Sequence, residues 1–427
     1  MGRVYERIGI LDHGGYGNLG NAAIHEALIA NIRRRLPKAV FFGFSDAPHD
    51  TSERYNIVSH PVNWSYPGRF DSDRGAGHGM NLRLRLKSFV KGHSVFYAVA
   101  KPISDFLSEL ALLARSYRAV RSLDLLIILG SGQLQDYWYG PWVHPYNIFK
   151  FCGLARLSNT SLFILNAGVG PLNHPLSRFF ARWSVRLAHY TSFRDPESQA
   201  LLSTLGVKTK TRVYPDTAYS LDLTPYLPDE PPSLSKPIVG LNPMGFCDPR
   251  VWPKRDSAAY NRYLDRLASF SLWLLAQGYD LEVFTTEVSV DGYAIEDLKS
   301  RLTGHLPPDT IATVFPKPAL TLNEILLQMS RFNFVITPKL HGVIFSHLLA
   351  KPVIALSYHS KIDTLMHAVG QSHYCLDIER FDATSLISAF NALVSNAGDI
   401  STRFRETTAT YGAALQPEFD NLFMARA

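Results

Sequence analysis

The chain has 427 residues, of which 46% are hydrophobic and 19% are charged. This apolar fraction supplies large packed cores, which excludes disorder and fibrous repeats as the dominant state, and the length suits roughly two to three domains at ~150 residues each. The formal net charge of +6 is a modest basic excess for so long a chain. It favours anionic substrates or a membrane surface over dedicated nucleic-acid binding.

The cysteines and the N-terminal residues bear on the cellular compartment. Cys152, Cys247 and Cys375 lie far apart without CxxC spacing, which indicates a reducing compartment and argues against a structural zinc site. The first residues lack the apolar core of a signal peptide, and no apolar run approaches the ~20 residues needed to span a bilayer. We therefore expect a soluble, cytoplasmic protein.

Short apolar segments alternate with helical patterns through the first half of the chain. Strands are predicted at residues 8–11, 40–44, 125–129 and 162–165, and the clearest helix at 21–36. Strands buried on both faces that alternate with helices are typical of a parallel sheet in an α/β domain. Such sheets place binding sites at the carboxyl ends of their strands.

A proline-rich stretch at residues 223–237 lacks apolar periodicity and predicts an interdomain linker. The alternation of strands and helices then restarts. Strands are predicted at 238–241, 281–284, 334–336 and 353–356, and helices around 260–277 and after His341. We expect an α/β domain over 1–222, a second over 238–400, a cleft between them, and a helical tail over 401–427.

One basic segment does not fit this alternation. Residues 69–91 carry Arg and Lys side chains together with several glycines, and an amphipathic stretch follows at 95–117. A solvated loop and a surface helix explain this pattern most simply. The alternative is a peripheral contact with the inner face of a membrane, which would suit a lipid-linked or polymeric anionic substrate.

A glycine-rich turn at residues 14–20 lies between the first predicted strand and helix. Its backbone amides can bind an anion. Gly15, Gly17 and Gly20 fit the spacing of a dinucleotide-binding turn, with Asp46 at the end of the next strand, so an NAD-dependent oxidoreductase is one hypothesis. The residues between the strand and Gly15 argue against it, and glycines that merely permit a tight turn explain the pattern equally well.

Small and polar residues follow two of the predicted strands, at residues 130–136 and 166–171, and a third such segment, 193–198, follows an apolar stretch. The first two turns would line one edge of the sheet with residues that lack bulk. In the third, Arg194 precedes Asp195 just before a predicted helix. This pair is either a surface ion pair of small energetic weight or a site where the Arg194 guanidinium binds a carboxylate or phosphate.

The segment at residues 337–342 is the richest in chemistry. Lys339 and His341 alternate across Leu340, so in an extended segment they point to the same side. A helix is predicted to begin there, and its free amide groups favour an anion. A second polar cluster follows the next strand, at residues 358–361. Together these features favour an anion site over a structural histidine.

With these segments in this order, the chain resembles the polysaccharide pyruvyl transferase family from its first strand to near Tyr374. The segments that carry the resemblance are 17–24, 130–132, 194–198, 216–218, 340–341 and 352–361. The sequence departs from the family pattern at Asn21 and Ala22, where the family has an acidic pair, at Ser131 in a triple-glycine turn, and at Lys339, where the family has arginine.

The resemblance implies a two-domain GT-B-like fold and transfer of the pyruvyl group of phosphoenolpyruvate (PEP) onto two hydroxyls of a sugar of a polysaccharide or its precursor, which gives a pyruvate ketal and phosphate. It implies neither a cofactor nor a metal. The expected catalytic residues are His341 and Arg194, the donor-binding residues Arg194, Lys339, Leu340 and Gly342, and the acceptor-binding residues Gly17, Asn18, Gly20, Gly130, Ser131 and Gly132. The general base stays open among Asp136, Asp195 and His13.

Other functions remain compatible with the sequence. A sugar-nucleotide-dependent glycosyltransferase would share the expected architecture. A non-catalytic sugar-binding or assembly protein could have kept this fold after losing the acidic pair at Asn21 and Ala22. One fold hosts many chemistries, so only the site can discriminate between these functions.

Overall fold

A computed structural model describes residues 5–12, 17–63, 94–208, 210–228 and 236–424, with side chains from residue 105 onward in the segment that begins at 94. His13, Gly15 and the basic segment 69–91 lie outside these residues. So does the part of the predicted linker at 229–235. The domain boundary therefore stays a prediction.

Within the described residues, the first sheet is entirely parallel and has the strand order β3-β2-β1-β4-β5-β6-β7. Its strands are β1 (Arg7–Asp12), β2 (Val40–Ser45), β3 (Val58–Pro61), β4 (Leu125–Ile128), β5 (Ser161–Ala167), β6 (Tyr190–Phe193) and β7 (Arg212–Val213). Its helices are α1 (Leu19–Arg35), α2 (Pro48–Tyr55), α3 (Ser94–Arg121), α4 (His144–Leu157), α5 (Pro175–Leu187) and α6 (Pro196–Thr204), followed by a short 3₁₀ turn at Thr217–Ser220.

The second sheet is also parallel over the described residues, with the order β12-β11-β10-β8-β9. Its strands are β8 (Ile238–Leu241), β9 (Asp280–Val283), β10 (Phe334–Thr337), β11 (Val353–Ser357) and β12 (Cys375–Asp377). Its helices are α7 (Ser257–Ala276), α8 (Val288–Thr303), α9 (Pro308–Val314), α10 (Leu322–Ser330), α11 (Leu340–Leu348), α12 (Ser360–Ala368), α13 (Ala383–Ser395) and α14 (Ala397–Phe423), with a 3₁₀ turn at Ser372–Tyr374.

Each apolar run that predicted a strand overlaps one. Every residue of β4, β5, β8, β10 and β11 is buried, because helices cover both faces of these central strands. The strands that sequence did not predict are β3, β6, β7 and β12. They are short and contain polar or exposed residues, so they lack the continuous apolar run that identifies a buried strand.

The carboxyl ends of the two sheets face each other. The backbone of Leu19, at the start of α1, donates a hydrogen bond to the carbonyl of Thr286 after β9 (2.9 Å), and Asn18 forms a β-bridge with Glu287. On the other side of the same gap, Thr364 of α12 donates to Glu197 of α6 (2.9 Å). The residues that follow the strands of both sheets are thereby brought into one interdomain region.

The last helix, α14, follows the second sheet in the chain but packs back against the first domain. It contacts α1, α11 and the turn at Thr217–Ser220. Its Asp420 accepts a hydrogen bond from Arg35 of α1 (2.7 Å), and its Glu418 accepts one from Tyr190 of β6 (3.1 Å). These polar contacts tie the two halves of the chain together.

Candidate active site

Arg194, Asp216 and His341 form the centre of the interdomain region. Nη1 of Arg194 donates a hydrogen bond to Oδ2 of Asp216 at 3.0 Å, and Nε2 of His341 lies 3.9 Å from the same oxygen. All three side chains are largely buried. The structure therefore brings together the two predicted catalytic residues, one from each domain, through a carboxylate that sequence reasoning did not select.

Local hydrogen bonds fix the carboxylate and the arginine. Asp216 caps the 3₁₀ turn that follows it, because its Oδ1 accepts the backbone N–H of Ala218 (3.0 Å), which leaves Oδ2 for Arg194 and His341. Asp195 caps α6 through the N–H of Ser198 (2.6 Å). Asp195 thus holds the start of the helix that directly follows Arg194, which accounts for this part of the sequence pattern.

Two glycines make room for the Arg194 side chain. A Cβ atom on Gly168, after β5, would lie 2.7 Å from Nε of Arg194, and one on Gly132, after β4, would lie 3.4 Å from Nη2. Gly168 therefore must lack a side chain if the guanidinium is to keep this position. The small residues at these strand ends serve to admit Arg194 into the region between the two turns.

His341 is the second residue of α11 and lies against the start of α1. A Cβ atom on Gly20 would lie 2.2 Å from Nδ1 of His341, so the imidazole occupies the space above this glycine. Burial lowers the pKa of His341 to about 4; Asp216 acts in the opposite direction and the charge of Arg194 adds to the lowering. The imidazole is thus neutral at pH 7.

Lys361 adds a second cation from the C-terminal domain. It lies in the first turn of α12, and its Nζ is 3.5 Å from the carbonyl oxygen of Gly170 in the N-terminal domain. Burial lowers the pKa of Lys361 to about 8, and the neighbouring charge of Arg194 contributes. Two positive groups from opposite domains therefore face the same space, which favours a ligand with more than one negative charge.

Lys339 is held by ion pairs. Because α11 begins at Leu340, the segment from Lys339 to His341 is not extended, so the alternation argument for a shared direction does not apply. Nζ of Lys339 instead lies 2.8 Å from Glu287 and 3.1 Å from Asp291, and this pair of carboxylates raises the pKa of the lysine despite its burial. The role of Lys339 in donor binding, like those of Leu340 and Gly342, stays a prediction.

The predicted acceptor residues mostly make packing contacts. Gly17 has a φ of +86° and lies against Val288 of α8, and Asn18 caps α1 by accepting the N–H of Asn21 (3.0 Å). A Cβ atom on Gly130 would lie 2.0 Å from the carbonyl oxygen of Leu165 in β5. The backbone conformation at Gly17 and the close contact at Gly130 both require glycine. The part of these residues in binding an acceptor therefore stays a prediction.

Three buried polar atoms close to this centre have no hydrogen-bond partner among the described residues. They are Oγ of Ser131, Oδ2 of Asp195 and Nε2 of His341. Buried polar groups in folded proteins are nearly always hydrogen-bonded, so these three atoms are candidates for contact with a ligand. Ser131, the residue by which this chain departs from a triple-glycine turn, is one of the three.

The candidate bases differ in how far their carboxylates are already engaged. Both oxygens of Asp136 accept backbone N–H groups, from Asn173 (3.0 Å) and His174 (2.7 Å). Asp136 therefore serves to order the loop before α5, and the structure does not favour it as a base. Asp195 keeps one buried oxygen without a hydrogen bond. Across the described residues, no three His, Cys, Asp or Glu side chains are grouped so that they could hold a metal ion.

Aromatic side chains line one end of the interdomain region. Trp138, in the loop after β4, packs edge-on against Trp252 of the C-terminal domain, with 4.7 Å between ring centroids. Tyr358 packs against the same tryptophan at 5.5 Å, and Tyr137 lies 6.5 Å from it. Tyr137 and Tyr358 keep exposed surface. Their rings are accessible to a ligand that enters at this end.

Sequence reasoning placed Asp216 and Lys361 only in motifs and gave neither a role. The signal for Asp216 was its position as a capping residue directly before a turn of small residues, Thr217 and Ala218. The signal for Lys361 was its place in the polar cluster after β11. Neither signal could identify a partner, because their contacts lie in the other domain or more than twenty residues away in the chain.

Paired parallel sheets with a site between their carboxyl ends define a GT-B-like fold, and comparison with solved structures agrees. S. aureus MnaA in a structure with UDP aligns with a TM-score of 0.58 and 11% identity over 99% of each chain. UDP-GlcNAc 2-epimerase from Neisseria meningitidis, bound to UDP-GlcNAc, gives 0.53 and 11% over 97% of each chain. The epimerase from Methanocaldococcus jannaschii gives 0.51 and 10%, with 90% of this chain and 92% of that one covered.

These similarities establish the fold class alone. The family follows from the sequence, because the model of the polysaccharide pyruvyl transferase family matches residues 18–360 and so spans both sheets and the Arg194, Asp216 and His341 centre. The chain belongs to this transferase family, which confirms the resemblance drawn from its motifs. A comparison with the sequences of curated proteins finds no match.

Proposed function

We propose that this protein transfers the pyruvyl group of PEP to two hydroxyls of a sugar of a polysaccharide or its precursor, forming a pyruvate ketal and releasing phosphate. The observation that carries the proposal is the convergence of Arg194 and Lys361, two largely buried cations from opposite domains, beside His341. PEP carries a carboxylate and a phosphate on the same carbon, and two such cations match its two anionic groups.

Arg194 suits the carboxylate of PEP, which is planar. One edge of its guanidinium binds Asp216, and the Nε and Nη2 atoms lie beside the turns that contain Gly168 and Gly132. A guanidinium held in this way can donate to a carboxylate in a fixed orientation. Lys361, a compact charge on a flexible chain, suits the phosphate and neutralises the charge that develops as phosphate leaves.

His341 is the proton-transfer group in this proposal. Its imidazole is neutral in the free protein, so it can accept the proton of a sugar hydroxyl as that oxygen bonds to the central carbon of PEP. The same proton passes to the methylene carbon as the C–O bond forms, because protonation at that carbon makes the central carbon electrophilic. The π electrons of PEP form the new C–H bond, and the methylene becomes a methyl group. Phosphate departs, and the second hydroxyl closes the ketal and loses its proton to the phosphate, so one PEP and one diol give one ketal and one hydrogen phosphate.

The acceptor enters at the end of the interdomain region that is lined by aromatic side chains. Tyr137 and Tyr358 keep exposed rings there, and aromatic faces pack well against the apolar faces of sugar rings. The Oγ of Ser131, which has no hydrogen-bond partner among the described residues, is available to a sugar hydroxyl. A nucleotide-linked, lipid-linked or polymeric sugar fits this entrance, and a cytoplasmic location fits the use of PEP as donor.

The test is phosphate release from PEP by the purified protein, with and without nucleotide-linked and lipid-linked sugars. We expect acceptor-dependent release that is lost in His341→Gln and Arg194→Lys. Exposed residues of the same types, in His373→Gln and Arg405→Lys, provide matched controls and should retain it. In D₂O, the methyl group of the ketal should carry one deuterium.

If no sugar stimulates release of phosphate and PEP does not raise the melting temperature, PEP is not the donor. Transfer from a nucleotide sugar would then assign the protein as a glycosyltransferase of the same fold. Binding of sugars with no turnover would assign it as a sugar-binding protein.

A further inference from the structure

The outer surface of the N-terminal domain carries a set of exposed apolar side chains on three adjacent helices. We call this set the aromatic face. Its members are Phe106, Leu107 and Leu110 of α3, Trp142 directly before α4, and Phe179 and Trp183 of α5. Trp142 is 61% exposed and Phe106 is 63% exposed, which are high values for side chains of this size.

Contacts between the helices make these side chains one continuous surface. The ring of Trp142 packs against Tyr146 of α4 at 5.7 Å and against Phe180 of α5 at 5.8 Å. Tyr146 in turn donates a hydrogen bond to Glu109 of α3 (3.1 Å), next to Leu110. The exposed rings are therefore held on a packed layer and do not fold back into a core.

The charges of the same helices are strongly one-sided. The basic residues of α3, α4 and α5 are Lys101, Arg115, Arg118, Arg121, Lys150, Arg156, Arg178, Arg182 and Arg186, whereas the acidic ones are Asp105 and Glu109. Glu109 already accepts hydrogen bonds from Lys150 and Tyr146. Among the described residues, Arg178, Arg182 and Arg186 form no ion pair, and Arg186 lies over the ring of Trp183 at 5.4 Å.

We propose that the aromatic face binds the surface of an anionic lipid bilayer. Tryptophan and phenylalanine beside unpaired arginines match the boundary between acyl chains and negative headgroups, where rings insert and guanidinium groups pair with phosphates. A protein partner of ordinary composition would meet an excess of unpaired positive charge. Over the described residues, no helix is long and apolar enough to cross a membrane.

The position of this face relates it to the active site. The loop after β4 passes Gly132 beside Arg194, forms the Trp138 contact with the C-terminal domain, and reaches Trp142 only ten residues beyond Gly132. Ten residues span at most ~35 Å. A sugar carried on a lipid anchor can thus reach the site while its anchor stays in the bilayer. This last step rests on the proposed function, whereas binding to lipid does not.

The first experiment measures flotation of the full chain with vesicles of phosphatidylcholine alone or with ~30% phosphatidylglycerol. We expect binding to the anionic vesicles that weakens in 0.5 M salt and falls at least ~10-fold in the triple variant Phe106→Ser, Trp142→Ser, Phe179→Ser. The matched control is the double variant Val40→Ser, Leu320→Ser, which removes exposed apolar side chains elsewhere and should bind as the unchanged protein does.

A second measurement covers the case in which the triple variant loses its fold. Lipids brominated on their acyl chains should quench part of the tryptophan fluorescence of the unchanged protein, and the conservative variant Trp142→Phe, Trp183→Phe should lose that part. Failure of the unchanged protein to float with anionic vesicles, or equal flotation of the triple variant, would overturn the proposal. So would light scattering that shows a dimer which the triple variant dissolves, because the face would then bind a second copy.

The proposed link between membrane binding and a lipid-linked acceptor is tested by a separate measurement. With a water-soluble sugar acceptor, the triple variant should release phosphate from PEP as the unchanged protein does. With the same sugar on a lipid anchor in anionic vesicles, its rate should fall at least ~10-fold. If neither protein acts on any acceptor, the proposed function fails while membrane binding is still decided by flotation.

Discussion

The imidazole of His341 occupies the position that a side chain on Gly20 would need: a Cβ atom there would lie 2.2 Å from Nδ1 and 2.3 Å from Cγ. Gly20 lies in the first turn of α1, where alanine would be the better helix former. The close approach of the two domains therefore depends on a residue that helix propensity disfavours. The glycine that fits a nucleotide-binding turn by its spacing instead makes room for the histidine.

The variant Gly20→Ala should displace the His341 ring and lower kcat roughly 100-fold, because a shift of about 1 Å in a catalytic group costs about that much. The KM for PEP should change less, since Arg194 and Lys361 keep their positions. Gly153→Ala is the matched control, because Gly153 also lies inside a helix but nothing approaches within 4 Å of its Cβ position. It should gain ~0.5–1 kcal/mol of stability and keep full activity. Steady-state kinetics and urea unfolding check both.

The carboxylate between Arg194 and His341 leads to a second prediction. Asp216→Asn keeps an oxygen for the N–H of Ala218 but removes the charge that Oδ2 presents to the other two residues. Arg194 then loses its fixed orientation, so we expect kcat/KM for PEP to fall roughly 100-fold with little change in the melting temperature. An Asp216→Asn protein with unchanged kinetics would show that this carboxylate has no part in the reaction.

The sequence predicted the central strands because each is an uninterrupted apolar run, as at Ile238–Leu241, where strand and prediction coincide. It also assigned Arg194 and His341 to one site, because each lies at a predicted helix start and the family resemblance implies that both act on the donor. It could not predict that Lys339 pairs with Glu287 and Asp291. That outcome depends on where α11 begins and on Asp291, a carboxylate from another helix that no local pattern connects with Lys339.

The pKa of Lys361 provides a prediction for pH dependence. Burial and Arg194 lower this pKa to about 8, so the lysine is charged below that pH and loses its charge above it. The value of kcat/KM for PEP should therefore fall as the pH rises through about 8, while Lys361→Arg should remove this fall up to pH ~10, because arginine stays charged. Lys351→Arg is the control, since Lys351 is half-buried but contacts Ser330 away from the site. A profile unchanged in Lys361→Arg would exclude Lys361 from binding the donor.

The ion-paired Lys339 supports the fold, and its removal should show this most clearly at pH 8, where Asp291 is ionised in the unfolded state. Lys339→Met leaves Asp291, which is fully buried, beside Glu287 without a cation, so we expect a loss of ~3–5 kcal/mol in the free energy of unfolding at pH 8. Burial already raises the pKa of Asp291 to about 6, although Lys339 acts to lower it, so the variant raises that pKa further. Because Asp291 then binds a proton in the folded state at a pH where it is ionised in the unfolded state, the loss should shrink as the pH falls from 8 to 5. Urea unfolding at both pH values measures this, with the exposed Lys317→Met as control, and a loss independent of pH would show that Asp291 is not the group left unpaired.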